Sequence, residues 1–466
     1  MRRFKSGKIY LLLFENVART KDQQPIQLGY EVNETSRALS QITHQRADII
    51  VRMNPYLSFL QRRPKFRSLW LAQVISLSGD WFNTIASVII INRYAPSGLA
   101  LGGFFIARAL PPFLLGPLAG VVADRLDRRK ILILSDLLRA GIVLGFLLVD
   151  RPERLWLLYV LTVLQFSVST FFEPARAALV PALVENDELL KANTLSSVTW
   201  SAMLTLGGAI GGLTASLFGV RVALIVDAAS FLVSAMLLLS ITGQFRSDAG
   251  HTLESGWKNF VDGLHYVRQD LDIGLVTLVK ALGQVGSFDI IAALYAASVF
   301  REGQEGATTL GLMFTAFGVG AVIGPLIANQ LGDSSVIWLR RAILGGFVCM
   351  PLAWLIVGVA PSLPIALLGC ILRGIGGSVN WTYSDVLLQM SVQDHLLGRV
   401  FAFDFAIFTL AVSVSLWLTG FITDEFHLAP RLMVLLLATG SLGPLAVWGA
   451  ALRWQTRRAA QSSMNR

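Results

Sequence analysis

A series of long apolar stretches, separated by short polar segments, constrains this chain more than any other feature. An α-helix needs about 20 mostly apolar residues to cross the hydrocarbon core of a bilayer. The sequence predicts twelve such spans, at residues 68–91, 98–122, 131–149, 155–177, 195–217, 221–242, 272–299, 307–331, 336–359, 363–383, 400–421 and 430–452. With 54% hydrophobic and only 15% charged residues, the chain has too few charges for a soluble surface. The predicted fold class is therefore an all-α polytopic membrane protein.

Basic residues are concentrated in alternate connections between these spans. One set carries runs at 62–67 and 125–130, with further basic residues at Arg176, Lys191, Arg246, Lys258, Arg268, Arg340, Arg341 and Arg399. The other set carries only Arg93, Arg151, Arg154, Arg221, Arg301 and Arg431. The positive-inside rule predicts a multi-pass protein of the bacterial cytoplasmic (inner) membrane with both termini cytoplasmic. The net charge of +9 does not indicate nucleic acid, because the basic residues collect on alternate connections, as the positive-inside rule requires, and form no aromatic-basic binding surface.

The chain divides into five segments. They are a cytoplasmic N-terminal extension at 1–66, six spans at 67–242, a cytoplasmic linker at 243–271, six more spans at 272–452 and a tail at 453–466. Translation is hypothesised to begin at Met53, which shortly precedes the first span. Gly116-Pro117-Leu118 recurs as Gly324-Pro325-Leu326, and Asn186-Asp187-Glu188-Leu189-Leu190 is echoed by Gln393-Asp394-His395-Leu396-Leu397. The two offsets are nearly equal, so the sequence predicts a six-plus-six duplication around a midplane cavity.

The connection between spans two and three is the most specific motif. Gly116 and Gly120 share a helix face, which allows another backbone to approach closely. Asp124 is predicted to lie at the membrane surface, where the N-terminus of another helix would attract it. The charges at Arg125, Arg128, Arg129 and Lys130 also fit a simple positive-inside turn, and that interpretation remains open.

This connection resembles the loop after the second helix in the major facilitator superfamily, Gly-x-x-x-Asp-Arg-x-Gly-Arg-Arg. The matches are at Gly120, Asp124, Arg125, Arg128 and Arg129. Asp127 stands where the pattern usually has glycine, and we expect it to turn the chain because Asp tolerates left-handed conformations. Further stretches resemble the exporter branch that includes enterobactin exporters and macrolide efflux proteins, namely 66–73, 78–81, 172–183, 227–231 and 398–401. The resemblance covers 66–452 and implies a major facilitator fold of two six-helix pseudo-repeats.

Span five carries four closely spaced glycines, Gly207, Gly208, Gly211 and Gly212. They are similar to the Gly-Pro-x-x-Gly-Gly element of the superfamily's antiporters, with Gly208 in place of the proline. This resemblance implies antiport, whereas small residues at such density can equally serve simple helix packing.

Several ionisable residues are predicted to lie inside the membrane, where each requires a partner, water or a function. Asp80 and Arg108 reach comparable depth in spans one and two. The leading hypothesis is that Asp80 binds and releases protons while Arg108 tunes its pKa; a permanent ion pair is the alternative. In span seven, Lys280 and Asp289 would lie on opposite faces of a regular helix. We expect Lys280 to snorkel to the cytoplasm and Asp289 to be a second coupling candidate.

The predicted substrate-cavity candidates are Arg139, Asp227, Arg373 and Trp381. Arg139 and Arg373 could meet an anionic substrate, although Asp136 is three residues from Arg139 and would neutralise it. The sequence leaves open whether Asp227 lines the cavity or caps a helix.

A cytoplasmic gate is predicted from charges that share one depth. Its members are Gly120, Asp124, Arg125, Arg128, Arg129, Glu173, Arg399 and Asp404. We expect Asp124 to face the N-terminus of span eleven and Arg128 to pair with Glu173, which together would latch the outward-facing state.

The resemblance implies a proton-coupled efflux transporter, an alternating-access antiporter that exports a siderophore or an amphipathic drug. Uptake or lysophospholipid transport by the same fold is an alternative, as is a transport-silent receptor or scaffold. No nucleophile and base are arranged for catalysis, so no enzyme is predicted. Cys349 and Cys370 lie in apolar stretches and no histidine lies inside a span, so neither metal nor cofactor is implied. The expected partners are a small-molecule substrate, protons and the lipid bilayer, and the expected state is monomeric.

Overall fold

The computed structural model describes residues 56–245, 264–332 and 335–464. The chain divides into two compact units, Met1–Arg62 and Arg63–Arg466. Of the first unit the structure describes 56–62, which are helical. Met53 and most of the predicted linker helix lie outside the described residues, although 264–269 are helical.

Nearly all of the second unit's described residues are helical, and none of them forms a strand. Its first half contains α1 Pro64–Tyr94, α2 Gly98–Arg125, α3 Arg128–Gly145, α4 Leu155–Leu179, α5 Leu189–Phe218 and α6 Val220–Leu239. Its second half contains α7 Leu271–Leu282, α8 Phe288–Leu294, α9 Ala307–Leu331, α10 Val336–Val359, α11 Leu363–Ser391, α12 Asp394–Glu425, α13 Pro430–Gly440 and α14 Leu442–Met464. In the part described, eleven helical segments are long and apolar enough to span a membrane, and α7 with α8 occupies the remaining predicted span.

The two halves repeat one packing pattern. In the first half α2 packs on α4, α3 on α4 and α6, and α1 on α5. In the second half the equivalent pairs are α9 on α11, α10 on α11 and α13, and α7 on α12. The prediction of two six-helix pseudo-repeats is therefore confirmed. We refer to them as the first bundle, α1–α6, and the second bundle, α7–α14.

Short connections place successive membrane spans antiparallel, so the connections between spans alternate between two faces. The face that carries the α2–α3 connection is called the basic face, and the opposite one the far face. One apolar core is continuous across both bundles and includes Ile89, Phe104, Ile291 and Phe314. A second core, which includes Val279, Phe347, Leu387 and Val400, lies within the second bundle.

Span seven is not the continuous helix that the sequence predicts. α7 ends at Leu282 and α8 begins at Phe288, where the Ser287 hydroxyl accepts a hydrogen bond from the Ile290 amide at 3.4 Å. Between them Gly286 has a φ of 80°, which glycine adopts without a Cβ clash. Since Lys280 precedes the break and Asp289 follows it, the opposite-face argument for this pair does not apply.

The turn at Asp127 also differs from expectation. Its φ of −64° and ψ of 112° are not left-handed. The Asp127 carboxylate instead accepts hydrogen bonds from the Arg129 and Lys130 amides at 3.0 and 3.3 Å, so the residue is the N-cap of α3. Capping therefore explains how aspartate replaces the usual glycine here.

Candidate functional site

Asp80 and Arg108 lie near the middle of α1 and α2, and both side chains are half-buried. Arg108 Nη1 donates to Thr84 Oγ1 at 2.5 Å, and that hydroxyl donates to the Asp80 carbonyl at 2.6 Å. The charge of Arg108 acts on the carboxylates of Asp80, Asp227 and Asp289. No ion pair joins Asp80 directly to Arg108 in the described part of the chain. The two charges therefore act on each other through space, while Thr84 links Arg108 to the backbone carbonyl of Asp80. The permanent ion pair is absent in this conformation.

Aromatic rings join the bundles beside these charges. Trp81 of α1 meets Phe314 of α9 edge-on, with ring centroids 5.2 Å apart. Phe288 contacts Phe314 at 5.6 Å and stacks on Phe317 at 4.6 Å. We call Trp81, Phe288, Phe314 and Phe317 the aromatic wall. Asp80 precedes Trp81 and Asp289 follows Phe288 in sequence, so each bundle places one acid next to the wall.

An ion pair closes the far face between the bundles. Arg93, at the end of α1, binds Glu305 through two hydrogen bonds, Nε to Oε2 at 3.0 Å and Nη2 to Oε1 at 2.5 Å. Asn92 donates to the Ala293 carbonyl at 3.2 Å. These contacts join the end of α1 to the second bundle.

Asp424, near the end of α12, caps the N-terminus of α2 from the other bundle. Its carboxylate accepts hydrogen bonds from the Ser97 hydroxyl at 2.6 Å and from the Gly98 and Leu99 amides at 2.7 and 2.8 Å. A carboxylate at this position satisfies otherwise unpaired amides and is favoured by the helix dipole. A Cβ on Gly98 would lie 2.9 Å from Gly420 Cα, which shows how closely the two helices pack here.

The four glycines of α5 pack against two different helices. A Cβ on Gly207 would overlap the Trp81 ring, and one on Gly211 would lie 3.0 Å from the Trp81 carbonyl oxygen. On the opposite side, a Cβ on Gly208 would lie 2.8 Å from Phe314 Cβ, and one on Gly212 would lie 2.7 Å from Gly311 Cα. α5 therefore approaches α1 within its own bundle and α9 of the other bundle, and each approach depends on a missing side chain.

Gly116 and Gly120 do not make the close helix contact that the sequence predicts for them in this conformation. Among the described residues, and apart from the neighbouring backbone of α2 itself, no heavy atom lies within 4 Å of a Cβ built at either position. The far half of α2 is packed tightly on α12, whereas at these two glycines its basic half faces open space. The predicted contact is therefore absent in the conformation that is closed at the far face.

The basic residues of the α2–α3 connection bind helix ends within the first bundle. Arg128 Nη1 donates to the Ala178 carbonyl at 3.0 Å. Arg129 donates to the carbonyls of Leu238 and Leu239 at 3.2 and 2.9 Å. These contacts place positive charge at the C-terminal ends of α4 and α6, where the dipole favours it. Arg125 is exposed, and the side chain of Asp124 lies outside the described residues.

The predicted Arg128–Glu173 pair is absent here. Glu173 binds Arg176 one turn later on α4, with Nη2 to Oε2 at 2.8 Å, and Arg176 also donates to Ser196. A neighbour on the same helix is the nearer partner for Glu173, while Arg128 is held by the Ala178 carbonyl. Arg399 is half-buried near the start of α12.

Arg63 ties the start of α1 to the connection before α5. It forms ion pairs with Glu185 and with Glu188, the latter from Nε to Oε2 at 2.6 Å. The hydrogen bonds to Glu185 and Glu188 raise the pKa of the Arg63 guanidinium. The basic ends of α1 and α5 are therefore held together.

Two of the predicted substrate-cavity arginines are buried inside the bundles. Arg139 is 2% exposed, pairs with Asp136, and lies over the rings of Phe172 and Phe231 at 4.7 and 4.3 Å. The Asp136 carboxylate neutralises Arg139. Because the arginine is also buried, it cannot reach a solute in this conformation. Arg373 is 5% exposed, and its Nη2 donates to the Gly283 carbonyl at 2.9 Å, which caps the end of α7. Both arginines are buried in this conformation, and their place at a substrate cavity stays a prediction.

Asp227 is completely buried where α6 packs on α1. A Cβ on Gly79 would lie 2.5 Å from Asp227 Oδ1, so the glycine makes room for the carboxylate. The residue neither lines an accessible cavity nor caps a helix end. Its charge acts on Asp80, which lies on the next residue of α1 after Gly79.

Lys280 does not snorkel to the membrane surface. Its side chain is 5% exposed, and Nζ lies 2.5 Å from both Asp385 Oδ1 and Asp404 Oδ2. Trp381, which is 39% exposed, places its ring 4.6 Å from the same ammonium. We call Lys280, Asp385 and Asp404 the buried triad. Asp404 is predicted as part of the gate with Arg399. It belongs to this cluster instead, because the packing of α12 on α7 brings it to Lys280.

Sequence reasoning missed Asp385, Asp424 and Glu305. Asp385 lies 105 residues from Lys280, and no local spacing connects the two. Asp424 offered a signal, since an acid at the end of one span can cap a helix that begins at the same face. Among the described residues no group of three or more metal-binding side chains occurs, and both cysteines are free.

The profile of the family described as transmembrane secretion effector matches residues 57–463. The chain is similar to the putative bacilysin exporter BacE of Bacillus subtilis (strain 168), with 23% identity over 360 residues that cover 76% of this chain and 88% of that protein. Macrolide efflux protein A of Streptococcus pyogenes is 23% identical over 369 residues, covering 78% and 90%. The enterobactin exporter EntS of Citrobacter koseri is 25% identical over 353 residues, covering 74% and 82%. These matches confirm the resemblance predicted from the sequence.

Among solved structures, a bacterial homologue of the human lysosomal transporter Spinster superposes with a TM-score of 0.66. The identity is 14%, and the match covers 86% of this chain and 97% of that one. This likeness concerns the fold alone, and it agrees with the two repeated bundles.

Proposed function

Because the chain belongs to the transmembrane secretion effector family of the major facilitator superfamily, we propose that it is a proton-coupled exporter that works by alternating access. The solute leaves the cell in exchange for protons across the cytoplasmic membrane. The basic face is the cytoplasmic one, in keeping with the positive-inside rule, and both termini lie there. The protein acts as a monomer, with the extension, two bundles, linker and tail divided as the sequence predicts.

The observation that carries this proposal is the arrangement of Asp80 and Arg108 at mid-membrane. A charge in the hydrocarbon region is costly unless it is paired or hydrated. Asp80 is half-buried and is not fixed by an ion pair in the described residues, so its carboxylate is free to gain and lose a proton. The charge of Arg108 acts on Asp80, while its guanidinium is held by Thr84 rather than by the acid itself.

Asp289 is the corresponding acid of the second bundle. It interacts electrostatically with Arg108 across the interface between the bundles. Protonation of Asp80 removes one attraction on Arg108 and leaves Asp289 as its main counter-charge. A proton at Asp80 thus changes the force between the bundles, which is what coupling requires.

The substrate we propose is a siderophore or an amphipathic drug such as a macrolide. Three exporters named for bacilysin, macrolide and enterobactin are among the relatives. Trp81 and Phe317 of the aromatic wall are partly exposed, and they offer apolar ring surface beside two acids and one guanidinium, which suits a large solute with both apolar and polar parts. Phe288 and Phe314 are buried in this conformation. Phe166 adds a ring 4.8 Å from the Arg108 guanidinium.

The basic-face gate closes in the opposite conformation. We propose that Asp124 then faces the N-terminus of α12, while Gly116 and Gly120 admit a neighbouring helix. Arg128 and Glu173 exchange their present partners for each other in that state. This arrangement mirrors the far face, where Asp424 caps α2.

Inside-out membrane vesicles test the proposal. Vesicles with wild-type protein are expected to accumulate a radiolabelled macrolide or iron-free enterobactin when their lumen is made more acidic than the outside solution. Asp80→Asn should reduce accumulation to the level reached with an uncoupler, while Asp80→Glu keeps part of it. Asp187→Asn, which removes an exposed acid, is the matched control. Full accumulation by Asp80→Asn would refute the coupling role, and gradient-independent or reversed transport would refute proton-driven export.

A further inference from the structure

The buried triad of the second bundle has no part in the mechanism proposed for Asp80. It joins three helices, because Lys280 comes from α7, Asp385 from α11 and Asp404 from α12. The exposed fractions of the three side chains are 5%, 26% and 1%. Asp385 is thus the member that water can reach, and Asp404 is the member sealed inside the bundle.

One cation faces two acids in this cluster. If both acids were ionised, the triad would carry a net charge of −1 within the membrane, which is costly without further compensation. The charges that act on Asp404 are those of Lys280 and Asp385. Asp404 Oδ1 is buried and has no hydrogen-bond partner in the described residues, whereas Oδ2 is bound to Lys280. The unpaired oxygen is therefore the place where a proton relieves the excess charge.

Charged groups on the neighbouring elements do not supply the missing positive charge. Arg373 of α11 is directed to the Gly283 carbonyl. Arg340 of α10 pairs with Asp272 at the start of α7 at 3.9 Å, which forms a neutral pair of its own. Arg399 of α12 lies five residues before Asp404, which on an α-helix places its backbone about 7.5 Å nearer the basic face.

From this geometry we infer that the triad binds one exchangeable proton, which is taken up on Asp404 and passes to and from water through Asp385. The only bond that forms and breaks is the O–H bond of a carboxylic acid, and the proton comes from water and returns to it. Lys280 holds both acids in place through its contacts with Asp385 and Asp404.

The consequence for transport rests on the proposed function, although proton binding itself does not. The proton site lies on the basic halves of α7, α11 and α12, whereas the Asp80 site lies at the middle of the first bundle. Each bundle then carries its own proton site, and a bound proton neutralises the cluster that joins three helices of the second bundle.

Infrared difference spectroscopy on the purified protein in lipid nanodiscs tests this without any substrate. A pH titration of the wild type should reveal a protonated-carboxyl band that appears and disappears reversibly. Asp385→Asn and Asp404→Asn should each abolish this band, and both should remain folded because each leaves Lys280 in a neutral one-to-one pair. Glu425→Gln, which removes an exposed acid at the opposite end of α12, should leave it unchanged.

The Asp80→Asn background separates this inference from the proposed function. We expect the triad band to persist when Asp80 is replaced, while the transport assay loses its proton dependence. A spectrum in which neither triad variant alters any carboxyl band would overturn the inference and leave the proposed function standing. A band that is displaced by Na⁺ at constant pH would likewise overturn it, because the site would then bind a metal cation.

Discussion

At the scale of single residues, Lys280 shows that a buried cation between two acids matters more for stability than an exposed one. Its ammonium is 2.5 Å from each carboxylate and is also covered by the rings of Trp381 and Phe401. In a site of this kind, removing the shared partner leaves both acids without compensation, whereas removing one acid leaves a neutral pair.

The substitution Lys280→Met should therefore destabilise the protein far more than Asp404→Asn. Breaking a buried pair by removing one partner costs about 3 to 5 kcal/mol. We expect Lys280→Met to lower the melting temperature in detergent clearly. The triple variant, in which Lys280→Met is combined with Asp385→Asn and Asp404→Asn, should recover most of that loss in melting temperature. Equal melting temperatures for Lys280→Met and wild type would show that the triad is not a compensated cluster.

At the scale of helices, the seam between α5 and α9 depends on glycine. Gly208 and Gly212 of α5 face Gly311 of α9, with no space for a side chain on either helix. Inserting methylenes into such a contact typically costs about 1 to 3 kcal/mol. Because the seam joins two bundles, that cost falls on the closed far face rather than on the folding of either bundle.

Gly212→Leu is accordingly expected to leave the protein folded but to open the far face. The measurement is disulfide formation between cysteines placed at Ser216 and Thr308, whose hydroxyl oxygens are 2.9 Å apart. Cross-linking should fall sharply in the Gly212→Leu background. Gly345→Leu is the control, because no heavy atom lies within 4 Å of a Cβ there. Undiminished cross-linking with Gly212→Leu would argue against the seam as the far-face closure.

Gly120→Val tests the other end of the cycle. The position has open space in this conformation, so stability should not change. Transport should nevertheless fall, since the basic half of α2 has to meet a neighbour when the basic face closes. Gly141→Val, at another uncrowded position, should have no effect on vesicle transport. Normal transport by Gly120→Val would remove this glycine from the gate.

Helix positions could be predicted from the sequence because apolar length alone determines a span. The predicted range 336–359 coincides with Val336–Val359, and 307–331 with Ala307–Leu331. The break before Phe288 was missed although the segment Gly-Gln-Val-Gly-Ser at 283–287 carried a signal for it. Glycine allows the positive φ at Gly286, and serine is a preferred N-cap residue. Site partners were out of reach, since Asp404 is 124 residues from Lys280 and only the bundle's packing brings them together.

At the scale of the whole molecule, contacts between the two bundles close the far face in this conformation. The described residues of the basic face show no equivalent contacts between the bundles. Arg93 with Glu305 and Asp424 with the N-terminus of α2 both join one bundle to the other. Such contacts favour one state of an equilibrium between two states, and their loss shifts the populations. Asp124 is the predicted counterpart of Asp424 at the opposite face.

Removing the Asp424 carboxylate should therefore shift the population towards the state open at the far face. In Asp424→Asn the amides of Gly98 and Leu99 lose a charged acceptor, and such a capping contact is worth about 1 kcal/mol. A cysteine in place of Leu416 of α12, which is 2% exposed in this conformation, should then react faster with a membrane-impermeant maleimide added from the far side. Glu425→Gln, the neighbouring exposed acid, serves as the control. An unchanged labelling rate would mean that Asp424 does not hold this face closed.

The central claim is that two bundles rock against each other and that protonation of Asp80 sets their balance. Pulsed electron-spin resonance tests it in a cysteine-free protein that carries one of two label pairs. One pair, Phe218 and Glu302, measures the far face, and the other, Leu190 and Met390, measures the basic face. We predict that a change of pH alters the two distances in opposite directions, and that Asp80→Asn removes most of this response. Distances that stay constant, or that lengthen and shorten together, would contradict the account.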